Sequence, residues 1–359
     1  MAGHLAGTII RFLFIATLGV FTANAGHPLD DYDLGPGLTF LEENDLFLKT
    51  DRHYTQGIQF SYMSADKGDT NWTAKAMDWL PAWGGLTPRA WRFGAVIGQN
   101  IYTPSDISTH TPSLGERPYA GWLYVGLALH RRGSISENWR ALDALQLDVG
   151  IVGPQAFGDE AQSWVHEIRG FDQPQGWAHQ LTTEPGLHLK YQRLWLRRWG
   201  TDKWAFDTIP SAGLALGNIQ TAVRAGGAVR AGYNLPYDFG VQHIDSLSIT
   251  SNGRSPSRAN NLGFYVYGAA EGRAVAYSTF MDGNLFHASQ SVERKPLAAD
   301  LKAGFVLTCN WLEAGYAYIF RTREFLGQRE TDGFGSVYIK LRFILPEKKR
   351  ALGELHDAP

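Results

Sequence analysis

The chain has 359 residues, a formal net charge of −2 at pH 7 and one cysteine, Cys309. A near-even charge balance gives no electrostatic basis for a nucleic-acid partner, and one cysteine excludes an intrachain disulfide. After the opening residues no long uncharged apolar stretch occurs, which argues against helical membrane spans and leaves a periplasmic soluble protein or a β-barrel.

In chain order, residues 1–25 read as a secretory signal. His4 and Arg11 precede a short apolar core over 12–21, and Ala23-Asn24-Ala25 gives the small-x-small pattern of a cleavage site. Residues 26–345 then alternate. In Leu145-Gln146-Leu147-Asp148-Val149, Leu187-His188-Leu189-Lys190-Tyr191 and Val337-Tyr338-Ile339-Lys340-Leu341-Arg342-Phe343, apolar side chains fall on one face and polar ones on the other. A soluble sandwich produces the same pattern with its apolar side inward. Strand length favours a membrane barrel, since 264–277 and 301–310 reach the roughly 9–11 residues of a tilted membrane strand. So do the aromatics near strand ends, Trp91, Trp122, Trp195, Trp204, Trp311 and Tyr316, which suit interfacial girdles.

Alternation and turn signals predict about twelve strands, an all-β, antiparallel up-and-down transmembrane barrel. They begin near Leu38, Thr55, Trp91, Ala120, Ala141, Glu184, Trp204, Thr221, Asn261, Ala298, Trp311 and Phe334. With the first strand running outward, 46–54, 103–119 and 154–183 face the cell exterior, and the long connections 64–90 and 235–260 face the periplasm. Cys309 reads as a structural thiol in a strand, and the polar tail 346–359 as a disordered end.

Three outward segments carry chemistry. "ENDLFLKTDRHYTQG" places Asn44, Asp45 and Thr55 where two strands end and begin. Asp45 is a hard oxygen ligand suited to Ca2+ or Mg2+; the plainer reading is a strand end and a turn. Residues 159–170 predict a short helix with acidic residues first and Gly170 at its C-terminal end. Its apolar stripe, Ala161, Trp164, Val165 and Ile168, would pack down and leave Gln162, His166 and Arg169 on another face. His166 is then either an exposed loop histidine or a general base. Arg117, in "ERPYAGWLY", is either an interfacial anchor or a phosphate-binding fork. No G-x-S-x-G elbow, zinc spacing or phosphate-binding glycine loop is present.

"ENDLFLKTDRHYTQG", "QNIYTPSD", "ERPYAGWLY", "GIVGPQAFGDEAQSWVH" and "PQGWAHQLTTEP" occur in this order. Together they resemble the outer-membrane lipid A 3′-O-deacylases over about residues 38–185. The resemblance implies Ca2+-dependent removal of the 3′-linked acyloxyacyl group of lipid A by a monomeric barrel in the bacterial outer membrane. Position by position it carries catalytic roles onto Asn44, Asp45, Thr55, His166 and Asp172, with Asp45 on the metal. Arg117 and Gln162 are the candidate substrate contacts. The chain reads Ser108-Thr109-His110 where the family carries a basic pair. Two other functions fit the same barrel: a non-catalytic pore or binding protein, and a glycerophospholipid hydrolase.

Overall fold

A computed structural model describes residues 34–45, 52–201, 203–240, 243–244 and 262–343. The expected signal, the polar tail, and most of 46–54 and 235–260 lie outside the described residues.

Twelve antiparallel strands close into one barrel in sequence order, with β1 pairing β12. They are β1 (Gly37–Asn44), β2 (His53–Met63), β3 (Thr87–Thr103), β4 (Ala120–Ser134), β5 (Arg140–Val152) and β6 (Glu184–Gly200), followed by β7 (Trp204–Gly217), β8 (Gln220–Tyr233), β9 (Leu262–Ser278), β10 (Leu297–Cys309), β11 (Leu312–Arg321) and β12 (Asp332–Arg342). Every expected start falls close to an observed one; the largest offset is at β3, which starts at Thr87 rather than Trp91. Among the described residues three short α-helices interrupt the connections: α1 (Trp72–Met77), α2 (Gly158–Arg169) and α3 (Thr279–Asp282).

Period-two alternation sorts the wall into two surfaces. Phe60, Ile97, Val125, Leu127, Val149, Leu187, Val266 and Leu301 are exposed on the outside, an apolar band that only lipid makes favourable. Inward positions carry buried charges in pairs. Arg321 Nε donates to Asp300 Oδ1 at 2.9 Å, Arg230 Nε to Asp207 Oδ1 at 2.9 Å, and Lys190 Nζ lies 2.8 Å from Asp148 Oδ2. Pairing of this kind is what makes charge tolerable in a low-dielectric interior. No helix among the described residues is long and apolar enough to cross a membrane, so the strands provide the span.

The start of β1 and the end of β12 lie at one rim, Gly37 pairing with Arg342, and in bacterial barrels this rim is the periplasmic one. From this inner rim the β2–β3 connection folds back over the outer wall. Its α1 packs Ala74 and Met77 against Trp91, and Arg131 Nη1 donates to Leu80 O at 2.7 Å. Asn71 caps α1, accepting from Thr73 N. Two expected girdle residues are therefore buried. Trp91 points outward but lies under α1, and Trp122 occupies an inward position, with its ring 5.5 Å from that of Tyr124. Trp204 and Trp311 are exposed as expected, and Cys309 is an exposed thiol at the last residue of β10.

Candidate active site at the outer rim

In β1 the odd positions Thr39, Leu41 and Glu43 face the lumen, so Asn44 faces the outer wall. Its register partner on β2 is Gln56, and a bulge between Tyr54 and Gln56 inserts Thr55 beside it. Thr55 Oγ1 lies 2.7 Å from Thr103 Oγ1 of β3. Asn44, Thr55, Gln56 and Thr103 are all buried. Nearer the middle of the same strands the outward positions hold Leu38, Phe60 and Ile97, so this is a polar island at the end of an apolar wall.

Asp45 follows directly and is 2 % exposed. Its Oδ2 accepts a hydrogen bond from Arg52 N at 2.6 Å, which ties together the two ends of the β1–β2 connection. Arg52 in turn reaches the β11–β12 connection, donating from Nη2 to Glu330 Oε2 at 2.9 Å. Glu116, at the same rim, accepts from Ser105 N at 3.0 Å and lies 3.5 Å from His53 Nε2. Burial works to raise its pKa, but the bonds to His53 and Ser105 outweigh it and hold the carboxyl below its usual range.

The helix α2 lies on the outer wall over β3 and β4. Gln99, an outward residue of β3, donates from Nε2 to Ala156 O at 2.6 Å and fixes the turn leading into the helix. Gly121 of β4 and Gly158 of α2 touch backbone to backbone; a Cβ on Gly121 would lie 3.3 Å from the Gly158 Cα. Beneath the helix Ile101, Tyr119 and Trp177 form an apolar cluster, and Trp177 Nε1 donates to Gln162 Oε1 at 2.8 Å.

Of the expected stripe, Ala161 packs on the cluster beneath the helix, whereas Trp164 and Ile168 turn away from it. Gln162 and His166 are buried against the wall, while Trp164 and Ile168 are each 64 % exposed and Arg169 is exposed. Beside a lipid-facing wall the apolar side turns to lipid and the polar side turns inward.

At the helix end Gly170 adopts the left-handed conformation, with φ 68°. Phe171 N then donates to His166 O at 2.9 Å, folding the chain back over the last turn. This brings Asp172 O to 2.6 Å from His166 Nδ1. Asp172 thus meets the histidine through its backbone, and its side chain is exposed.

The rim island and α2 share one end and one face of the barrel. Asn44 pairs with Gln56, Gln56 pairs with Ile101, Ile101 packs on Trp177, and Trp177 bonds Gln162 one helical turn before His166. Asn44 and Ile101 are two strand spacings apart, roughly 10 Å. Arg117 is not part of this group. It lines a lumen cavity with Tyr102, Trp122, Arg224, Arg321 and Glu324. Its guanidinium lies 4.8 Å from the Tyr102 ring centre and its Nη1 3.5 Å from Glu324 Oε2. Sequence reasoning missed Gln56, Thr103 and Trp177. Thr103 carried a signal, being a polar residue in the lipid-facing phase of β3.

The donors at the rim suit a hard cation. Asp45 is a buried carboxylate that follows the buried carboxamide of Asn44 in sequence, and both are oxygen donors of the kind Ca2+ takes. Among the described residues no group of three or more His, Cys, Asp or Glu side chains is placed to hold a metal.

The family model described as "Outer membrane protein LpxR" matches residues 12–343. No curated protein matches significantly. Among solved structures, "LpxR from Salmonella typhimurium" is similar with a TM-score of 0.68 and 18 % identity, covering 86 % of this chain and 100 % of that one. The β domain of the Bordetella autotransporter BrkA gives 0.41 and 11 %, covering 87 % and 100 %. The translocator domain of NalP from Neisseria meningitidis gives 0.36 and 9 %, covering 95 % and 97 %. With the family model spanning nearly all of the barrel, the chain belongs to the LpxR family of outer-membrane lipid A 3′-O-deacylases.

Proposed function

We propose that this chain hydrolyses the 3′-linked acyloxyacyl ester of lipid A at the outer-wall site between β1–β3 and α2. The observation that carries the reading is the buried polar island, Asn44, Thr55, Gln56 and Thr103, on the face of the wall that meets lipid. A soluble substrate would be served from the lumen; an outer-leaflet ester is served from this side.

His166 is the general base. Asp172 O can only accept, so Nδ1 carries the proton and Nε2 keeps the lone pair that takes a proton from water. The water attacks the ester carbonyl, and the imidazolium returns the proton to the departing sugar oxygen. Asn44 and Thr55 stand nearest the developing oxyanion as hydrogen-bond donors. Asp45, with Asn44 and Asp172 oxygens as companions, would hold Ca2+, or less favourably Mg2+. The bound cation supplies Lewis-acid polarisation of the ester carbonyl. Gln162 holds the helix through Trp177 and so acts on substrate only indirectly.

The test is purified protein offered lipid A and a glycerophospholipid side by side, with and without chelator. Release of the 3′ acyl group from lipid A alone, lost on chelation and restored by Ca2+, is the expected result. Hydrolysis of the glycerophospholipid in preference to lipid A would replace this reading.

A further inference from the structure

The described part of the β8–β9 connection, 234–240 with His243 and Ile244, contacts inward-facing residues of the barrel. Its first residues are held by two inward arginines: Arg198 Nη1 donates to Leu235 O at 3.1 Å, and Arg230 Nη2 to Asp238 O at 3.0 Å. Further along, His243 and Ile244 are buried and lie at the level of the candidate site. Ile244 N donates to Glu43 Oε1 at 3.1 Å, and His243 Nδ1 lies 3.2 Å from the same oxygen. Tyr54 OH donates to Glu43 Oε2 at 3.1 Å, and Ser336 Oγ to Oε1 at 3.4 Å. Ile244 also fills the space over Gly57, where a Cβ would meet its Cδ1 at 3.0 Å.

Each lumen contact sits directly behind an outer-wall residue. Glu43 precedes Asn44 on β1, Tyr54 precedes Thr55 on β2, and Gly57 follows Gln56. Successive strand residues point to opposite faces, so the same backbone carries the lumen contact inside and the polar island outside. Strand ends at a barrel rim are where backbone order is lowest, yet hydrolysis needs Asn44, Asp45 and Thr55 held to within a fraction of an ångström.

We propose that Glu43 is a positioning residue, and that His243–Ile244 of the β8–β9 connection fix the outer-rim site by clamping Glu43 from the lumen side. The inference rests on the assignment of Asn44, Asp45 and Thr55 made above.

The test uses the full-length barrel with Glu43→Ala, His243→Ala and the double variant, each checked for folding by heat-modifiable gel mobility. Amide exchange of residues 41–57 should rise about tenfold or more in either single variant, as loss of a local restraint does. The kcat on lipid A should fall about tenfold with KM nearly unchanged, and the double variant should be no worse than Glu43→Ala, as expected of coupled residues. Unchanged exchange at 41–57 in folded variants, or losses of kcat that multiply in the double variant, would overturn the proposal. A wild-type barrel without deacylase activity would fail the assignment of function instead, and the exchange measurement would still decide the clamp.

Discussion

His166 Nδ1 and the carbonyl oxygen of Asp172 lie 2.6 Å apart, a contact made possible by the left-handed turn at Gly170 between them. The pair fixes both the orientation of the imidazole and the nitrogen that bears its proton. The ring is further held edge-on by Phe171, with centroids 5.8 Å apart. Orientation of the base is thus a property of the helix end, largely independent of which side chain residue 172 carries.

The seat of α2 is therefore the first place to intervene without touching a polar group. A Cβ on Gly158 would meet Trp177 Cη2 at 2.7 Å and the Gly121 Cα at 3.2 Å. Gly158→Val should lift the helix from β4 and lower kcat by about tenfold to a hundredfold, the cost of a displacement near 1 Å. The barrel should keep its unfolding midpoint, measured in parallel by urea titration.

Asp45 and Asp172 are expected to respond differently to the cation. Asp45→Ala should remove activity at any Ca2+ concentration, since it deletes the buried carboxylate. Asp172→Ala keeps the carbonyl that orients His166, so it should raise the Ca2+ concentration for half-maximal activity while leaving activity at saturation within a few-fold. A titration identical to wild type would show that the Asp172 carboxylate takes no part.

At the inner end of the outer wall, Arg131, Asp143 and Arg193 sit in register across β4, β5 and β6. Asp143 accepts from both arginines, at 2.7 Å from Arg131 Nη2 and 2.6 Å from Arg193 Nε, and is fully buried. Asp143→Ala leaves two guanidinium groups uncompensated under α1 and its connection. The barrel should lose about 3–5 kcal/mol of stability, read from urea unfolding in detergent, with kcat little changed in the protein that remains folded.

His243 gives a pH dependence to the lumen contact. Burial foremost, and then Lys302 of β10, push its pKa below 6.5 against Glu43 of β1 and Glu271 of β9; Tyr267 of β9 also faces it, at 3.5 Å. The folded form then binds fewer protons than the unfolded one, so stability rises with pH across the interval between the two pKa values. The docked His243–Ile244 segment should be fully stable above about pH 6.5 and should loosen as pH falls below it. Amide exchange of this segment, corrected for intrinsic rate and compared at pH 7.5 and 5.5, measures this; equal protection at both would contradict it.

Much of the barrel was legible because alternation is a local property. Lys340 reads as polar-phase and Ile339 as apolar-phase whatever encloses them, and both fall where that phase predicts. The orientation of α2 was not legible, because periodicity finds a stripe at Trp164 and Ile168 without naming the medium it faces. Trp122 was misplaced for a related reason: proximity to a strand end suggests a girdle, while its inward phase decides for the lumen. The bulge at Thr55 depends on the register of β2 against β3, a long-range property. The lumen contact with Glu43 lay deeper still, since His243 and Ile244 belong to a connection with no alternation and acquire meaning only from Glu43.

The central claim is that an outer-wall histidine performs lipid A deacylation. The most direct measurement is the mass spectrum of lipid A from cells carrying the wild-type chain, His166→Ala, or neither, with barrel abundance in the outer membrane matched. Wild type should shift lipid A downward by the mass of the 3′ acyloxyacyl group, and His166→Ala should leave the spectrum of the empty cells, a loss of at least about 10²-fold for removing a general base. A His166→Ala spectrum indistinguishable from wild type would contradict the account.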